Sequence, residues 1–84
     1  MEQTIQFDFS LLRGRIREFF QSEKNFVEAL QKTRTKISIG AFNNKINGRT
    51  DFTETEIYAI CNLLNIPIQE VYLYFFKEKY ELNS

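Results

Sequence analysis

From residue 8 onward, apolar side chains recur at steps of three and four: Phe9, Leu12, Ile16, Phe19 and Phe20. That spacing places them on one face of a helix. Asp8 or Ser10 can cap it, and its other face carries Arg13, Arg15, Arg17 and Glu18. Gly14 lies inside the same stretch, at a cost of about 1 kcal/mol relative to alanine. Either a close approach to another backbone or a solvent-facing position accounts for it. Ser22 opens a second helix with Glu23 in its first turn, where negative charge suits the helix dipole. Phe26, Val27 and Leu30 form the apolar stripe of that helix, with Ala29 beside them. Residues 1–7 have no strong pattern and read as a loosely held N-terminal arm.

After Leu30 the periodicity stops at six polar residues, QKTRTK, which form a turn or a frayed extra helical turn and then a loop. Ile37 returns to the core. Ser38 is a good N-cap and Asn47-Gly48 a stop signal, so a third helix is expected from Ile39 to Ile46. Phe42 and Ile46, four apart with Ala41 beside them, give it one narrow packing stripe. Beyond Gly48, Thr53-Glu54-Thr55-Glu56 is a capping box that starts a fourth helix with Ile57, Ile60, Cys61 and Leu64 on one face. Asn65 ends it. Pro67 then suits the entry to a short fifth helix over residues 68–74. The aromatic tail VYLYFFKEKYELNS permits a continued helix or an extended strand. The better reading is a helix ending near Phe75 and then an extended segment, with Phe75 and Phe76 closing the base of the core.

Composition narrows the options. Eighty-four residues make one domain, which buries only roughly two thirds of the surface its unfolded chain exposes. With nine Phe and four Tyr, large aromatic side chains are expected to supply much of that burial. One cysteine and no histidine exclude an intramolecular disulfide framework, a Cys-based zinc site and the usual acid/base residues. Cys61 falls in the core register, where a thiol is inert. No apolar run approaches the ~18 to 20 residues needed to span a bilayer, and no secretory signal pattern opens the chain. A soluble, cytoplasmic protein that binds no cofactor or metal is therefore expected.

Charge and side-chain chemistry single out the third helix. Opposite its packing stripe lie Ile39, Gly40, Asn43, Asn44 and Asn47, with Lys45 at the edge. Asparagine and glycine are poor helix formers, so solubility alone would favour Glu and Lys at these positions. Asparagine does form paired hydrogen bonds with base edges, adenine in particular. No acidic residue occurs between Glu28 and Asp51, whereas Lys32, Arg34, Lys36, Lys45 and Arg49 all do. This electropositive block suits phosphates, although a solvated basic face would look the same. The formal net charge of zero stands against a dedicated nucleic-acid binder, which is usually basic overall.

The opening FDFSLLRGRIREFF, the second-helix NFVEAL, the stretch ISIGAFNNKINGRTDFT and the following EIYAICNLLNIPIQEVYLYFF together resemble the lambda repressor and Cro type of helix-turn-helix domain. Small phage and bacterial Cro-like regulators are the nearest match. The resemblance covers residues 7–76, and its most specific part is residues 42–53. It implies an all-α, five-helix, lambda repressor-like DNA-binding domain. By motif position it also implies base contacts from Ile39, Gly40, Asn43 and Asn44, and phosphate contacts from Ser38, Lys45 and Arg49. The sequence departs from the family where a single glycine normally links the second helix to the turn. Residues 31–36 stand there instead, bringing Lys32, Arg34 and Lys36 as further phosphate contacts. Val27 also replaces the usual alanine.

Two functions follow. The first is a sequence-specific, double-stranded DNA-binding regulator of transcription, working as a homodimer without enzymatic chemistry, a membrane or a small-molecule substrate. The second is a protein-interaction module of the same fold that binds a partner repressor or polymerase subunit. An enzyme would need acid/base or nucleophilic groups that the chain does not supply. Tyr72, Tyr74 and Tyr80 offer stacking surfaces for single-stranded bases, but their spacing fits core or dimer contacts better.

Overall fold

Three helices begin where a side chain closes the first turn. Ser22 Oγ accepts from the Asn25 N–H at 3.1 Å, Ser38 Oγ from Ala41 at 3.1 Å and Thr53 Oγ1 from Glu56 at 3.2 Å. Glu56 completes the capping box by accepting from the Thr53 N–H at 2.8 Å. Such caps satisfy backbone donors that a helix leaves open at its start. The computed structural model describes residues 6–78. It places α1 at Ser10–Phe20, α2 at Glu23–Leu30, α3 at Ile39–Ile46 and α4 at Glu54–Leu64. A 3₁₀ turn, Ile68–Glu70, then passes through Val71 into a π-helical turn, Tyr72–Phe76, and the two together make α5. The fold is all-α. Among the described residues the β pairing is one isolated antiparallel bridge, Phe7 to Glu78.

Helix α1 is started from outside. Phe9 occupies its cap position without a side-chain bond, while the Asp8 carboxylate accepts from both the N–H and the hydroxyl of Ser10, at 2.9 and 2.6 Å. Helix α4 stops at Asn65 in the left-handed region, φ 53°, which asparagine tolerates better than most residues. Gly48, φ 82°, likewise allows the chain to turn away after α3.

The core is threaded by phenylalanine. Ring centroids run from Phe20 to Phe26 at 5.2 Å, Phe26 to Phe42 at 5.7 Å, and Phe42 to Phe52 at 6.0 Å. Phe52 then meets Phe9 at 5.5 Å and Phe75 at 5.4 Å. All these pairs meet edge to face, an arrangement worth about 0.5–1.5 kcal/mol each beyond the area buried. Leu12, Ile16, Leu30, Ile60 and Leu64 fill the remaining interior and are fully buried. Phe52 therefore joins α1, α3 and α5, although it sits in a connection.

Some expected positions lie elsewhere. Phe19 is 40% exposed, with the Arg15 guanidinium 4.9 Å from its ring centre, so the core face of α1 is narrower than its sequence. Phe76 is 42% exposed, because the wider π turn carries it past the core that Phe75 closes. Its ring meets Phe7 at 5.7 Å. Phe7 is thus held by a ring contact and a backbone bridge and does not belong to a loose arm. Gly14 faces solvent, with nothing within 4 Å of a Cβ built there. The rest of the arm, residues 1–5, and the tail from residue 79, including Tyr80, lie outside the described residues. Before them, Lys77 is extended. Among the described residues no helix is long and apolar enough to cross a membrane.

Candidate nucleic-acid interface

Helix α3 turns its packing stripe inward, with Phe42 and Ile46 buried, and this fixes what it shows outside. Ile39 is 43% exposed. Gly40 and Asn44 are exposed, and Asn43 is half-buried. The face is continuous. Gly40 has an ordinary helical φ and nothing within 4 Å of a Cβ built on it, so the fold itself does not require glycine there. A missing side chain lets another molecule approach the backbone closely.

The cations around this face divide into two sets. Lys45 points inward: its Nζ lies 3.1 Å from Glu56 Oε1 and donates to the Asp51 carbonyl at 2.9 Å. The side chain is only 15% exposed. Its charge ties α3 to the start of α4. Arg49 is exposed but leans on α3, donating from Nη1 to Asn44 Oδ1 at 3.3 Å. Lys32, Arg34 and Lys36 form the other set: all three are exposed, and none forms a salt bridge among the described residues. Ser38 Oγ is occupied by its capping bond to Ala41.

The turn between α2 and α3 is well built. Thr33 Oγ1 donates to the Leu30 carbonyl at 2.7 Å and accepts from the Thr35 N–H at 3.1 Å. Gln31 reaches across the turn with its Nε2 to the Ile37 carbonyl. Side chains then alternate, with Thr33, Thr35 and Ile37 inward and Arg34, Lys36 and Ser38 outward.

Two arginines of α1 hold helix ends in a way that helical periodicity does not reveal. Arg13 donates from Nη2 to Asn47 Oδ1 at 2.6 Å and to the Ile46 carbonyl at 3.2 Å, while its Nη1 lies 2.9 Å from Glu23 Oε2. It therefore fastens the end of α3 to α1 and α2. Arg15 does the same for α4, donating to the carbonyls of Leu64 at 3.0 Å and Asn65 at 2.9 Å. A cation at a helix C-terminus complements the carbonyls left open there and the negative end of the dipole. Asn47, expected on the outward face, is thus engaged from within the fold.

Cys61 is buried, and burial pushes its thiol above the ordinary value of 9.0. Among the described residues no cluster of His, Cys, Asp and Glu could hold a metal ion. A family model described as "Protein of unknown function (DUF739)" matches residues 5–78. No curated protein matches the chain.

Proposed function

We propose that this chain, which belongs to the DUF739 family, is a non-enzymatic, sequence-specific double-stranded DNA-binding regulator of the lambda repressor and Cro type. The observation that carries this reading is the outward face of α3. A short capped helix presents Ile39, Gly40, Asn43 and Asn44 beside a turn whose cations form no salt bridge among the described residues. Laid in a major groove, the asparagines meet base edges, and Lys32, Arg34, Lys36 and Arg49 lie toward the phosphates. The protein then acts by occupying a site on DNA in the cytoplasm.

The reading includes a homodimer on half-sites about 34 Å apart. An apolar stripe supports it: Tyr58 of α4 and Ile68 and Phe76 of α5 are exposed and line one groove. The same stripe favours the second reading, a module that binds a protein partner, because an apolar surface serves either role. Selection of bound duplexes from a random pool separates the two. An enriched sequence with two-fold symmetry is expected, and Asn44→Ala should weaken binding to it by about 1–3 kcal/mol, roughly five- to 150-fold. Absence of duplex binding at low salt would overturn the regulator reading.

A further inference from the structure

We infer that Arg34 and Lys36 form a pre-folded rail that follows a single strand of the duplex, each meeting one of two successive phosphates. This rests on the duplex-binding reading above and adds the register in which the backbone is held. Over residues 33–38 alternate side chains point in and out, and Arg34 and Lys36 share the outer edge. Thr33 and Arg34 lie in a bend and residues 35–38 run on without regular structure, and residues two apart in a chain are separated by at most about 7 Å. Neighbouring phosphates on one strand are about 7 Å apart, because the strand winds as it rises about 3.4 Å per nucleotide. The long Arg34 and Lys36 side chains make up the remaining difference, so that each cation can take its own phosphate.

Three further observations support the rail. Its inner edge is anchored by the Thr33 hydroxyl, the Gln31 amide and the buried Ile37, so much of the ordering cost of binding is already met. Neither cation forms a salt bridge among the described residues, so neither must break one to reach a phosphate. Lys45 is committed to Glu56 and the Asp51 carbonyl, whereas the exposed Arg49 donates to the neutral Asn44 side chain and keeps its charge available. Salt dependence should therefore come from the turn and Arg49 and not from Lys45 of α3.

The test measures the affinity of the full chain for a mixed-sequence duplex at several salt concentrations. Arg34→Ala and Lys36→Ala should each flatten the log-log slope by about 0.9, and the double variant by about 1.8. Lys45→Ala should leave the slope unchanged. On a duplex enriched by selection, single methylphosphonate substitutions should then find two adjacent sensitive phosphates on one strand, with one sensitivity lost in Arg34→Ala and its neighbour lost in Lys36→Ala. Unchanged slopes in both single variants, or sensitive phosphates on opposite strands, would overturn the rail while leaving duplex binding intact. A wild-type chain that binds no duplex at low salt would overturn the rail together with the reading beneath it.

Discussion

Replacing Arg13 by alanine tests whether one guanidinium sets the position of α3. The variant loses three interactions at once: the ion pair with Glu23, the 2.6 Å bond to Asn47 and the bond to the Ile46 carbonyl. They are unequal. The Arg13 and Glu23 side chains are 39% and 30% exposed, so solvent screening leaves their pair about 0.5 kcal/mol. The two bonds at the end of α3 carry a charged donor and complement the helix dipole, and together contribute about 1–2 kcal/mol. The expected loss is therefore about 2 kcal/mol, against a total of roughly 4–12 kcal/mol for a chain of this length.

Thermal unfolding followed by circular dichroism reads this directly, since about 1 kcal/mol moves the midpoint of so small a domain by roughly 4–8 °C. Arg13→Ala should melt about 8–15 °C lower. Arg13→Lys keeps the charge but loses the planar fork, and one ammonium cannot serve both Glu23 and the end of α3. It should recover less than half of the loss. A double-mutant cycle with Asn47→Ala should give a coupling of about 1 kcal/mol. A loss below about 0.5 kcal/mol in Arg13→Ala, or full recovery in Arg13→Lys, would refute the clamp.

Gly14→Ala should stabilise the protein by about 1 kcal/mol in denaturant unfolding, because the new methyl group meets nothing within 4 Å. Ile68→Glu places a charge on the exposed stripe shared by Tyr58, Ile68 and Phe76 and should convert a dimer to a monomer in analytical ultracentrifugation without changing the circular dichroism spectrum. Identical sedimentation of variant and wild type would exclude this surface from pairing. The Cys61 thiol, raised above 9.0 by burial, favours the neutral form in the folded state. Its contribution is intact below pH 9.0 and is lost as pH rises through the folded value. Unfolding free energy should thus fall more steeply above that pH in the wild type than in Cys61→Val.

Helix α3 was legible in the sequence to both ends because its signals are local: Ser38 caps three residues ahead, and Phe42 and Ile46 lie one turn apart. The capping box at Thr53 and the buried face of α2 were legible for the same reason. Arg13, Arg15 and Lys45 were not. Each has an aliphatic stem long enough to reach a distant helix, and their partners lie 33, 49 or 11 residues away, beyond any periodicity. Phe52 was hidden differently, since a lone aromatic residue in a connection has no pattern to report its burial. The π turn escaped because its wider winding shifts the faces of Tyr72–Phe76 away from those that a 3.6-residue period assigns.

These missed contacts change what charge means in this protein. Counted along the chain, the cations from Lys32 to Arg49 form one electropositive block. In three dimensions they separate by the availability of an acceptor within the fold. Lys45 finds Glu56 and the Asp51 carbonyl, and Arg49 finds Asn44. The turn cations sit on the outer edge of a segment whose inner edge is satisfied by Thr33 and Gln31, and among the described residues no salt bridge draws them back. A zero net charge is therefore compatible with a local anion-binding edge, because acids such as Glu23 and Glu56 are occupied in holding helices together. The turn between α2 and α3 is what gives Arg34 and Lys36 that position, on the outer edge of residues 33–38.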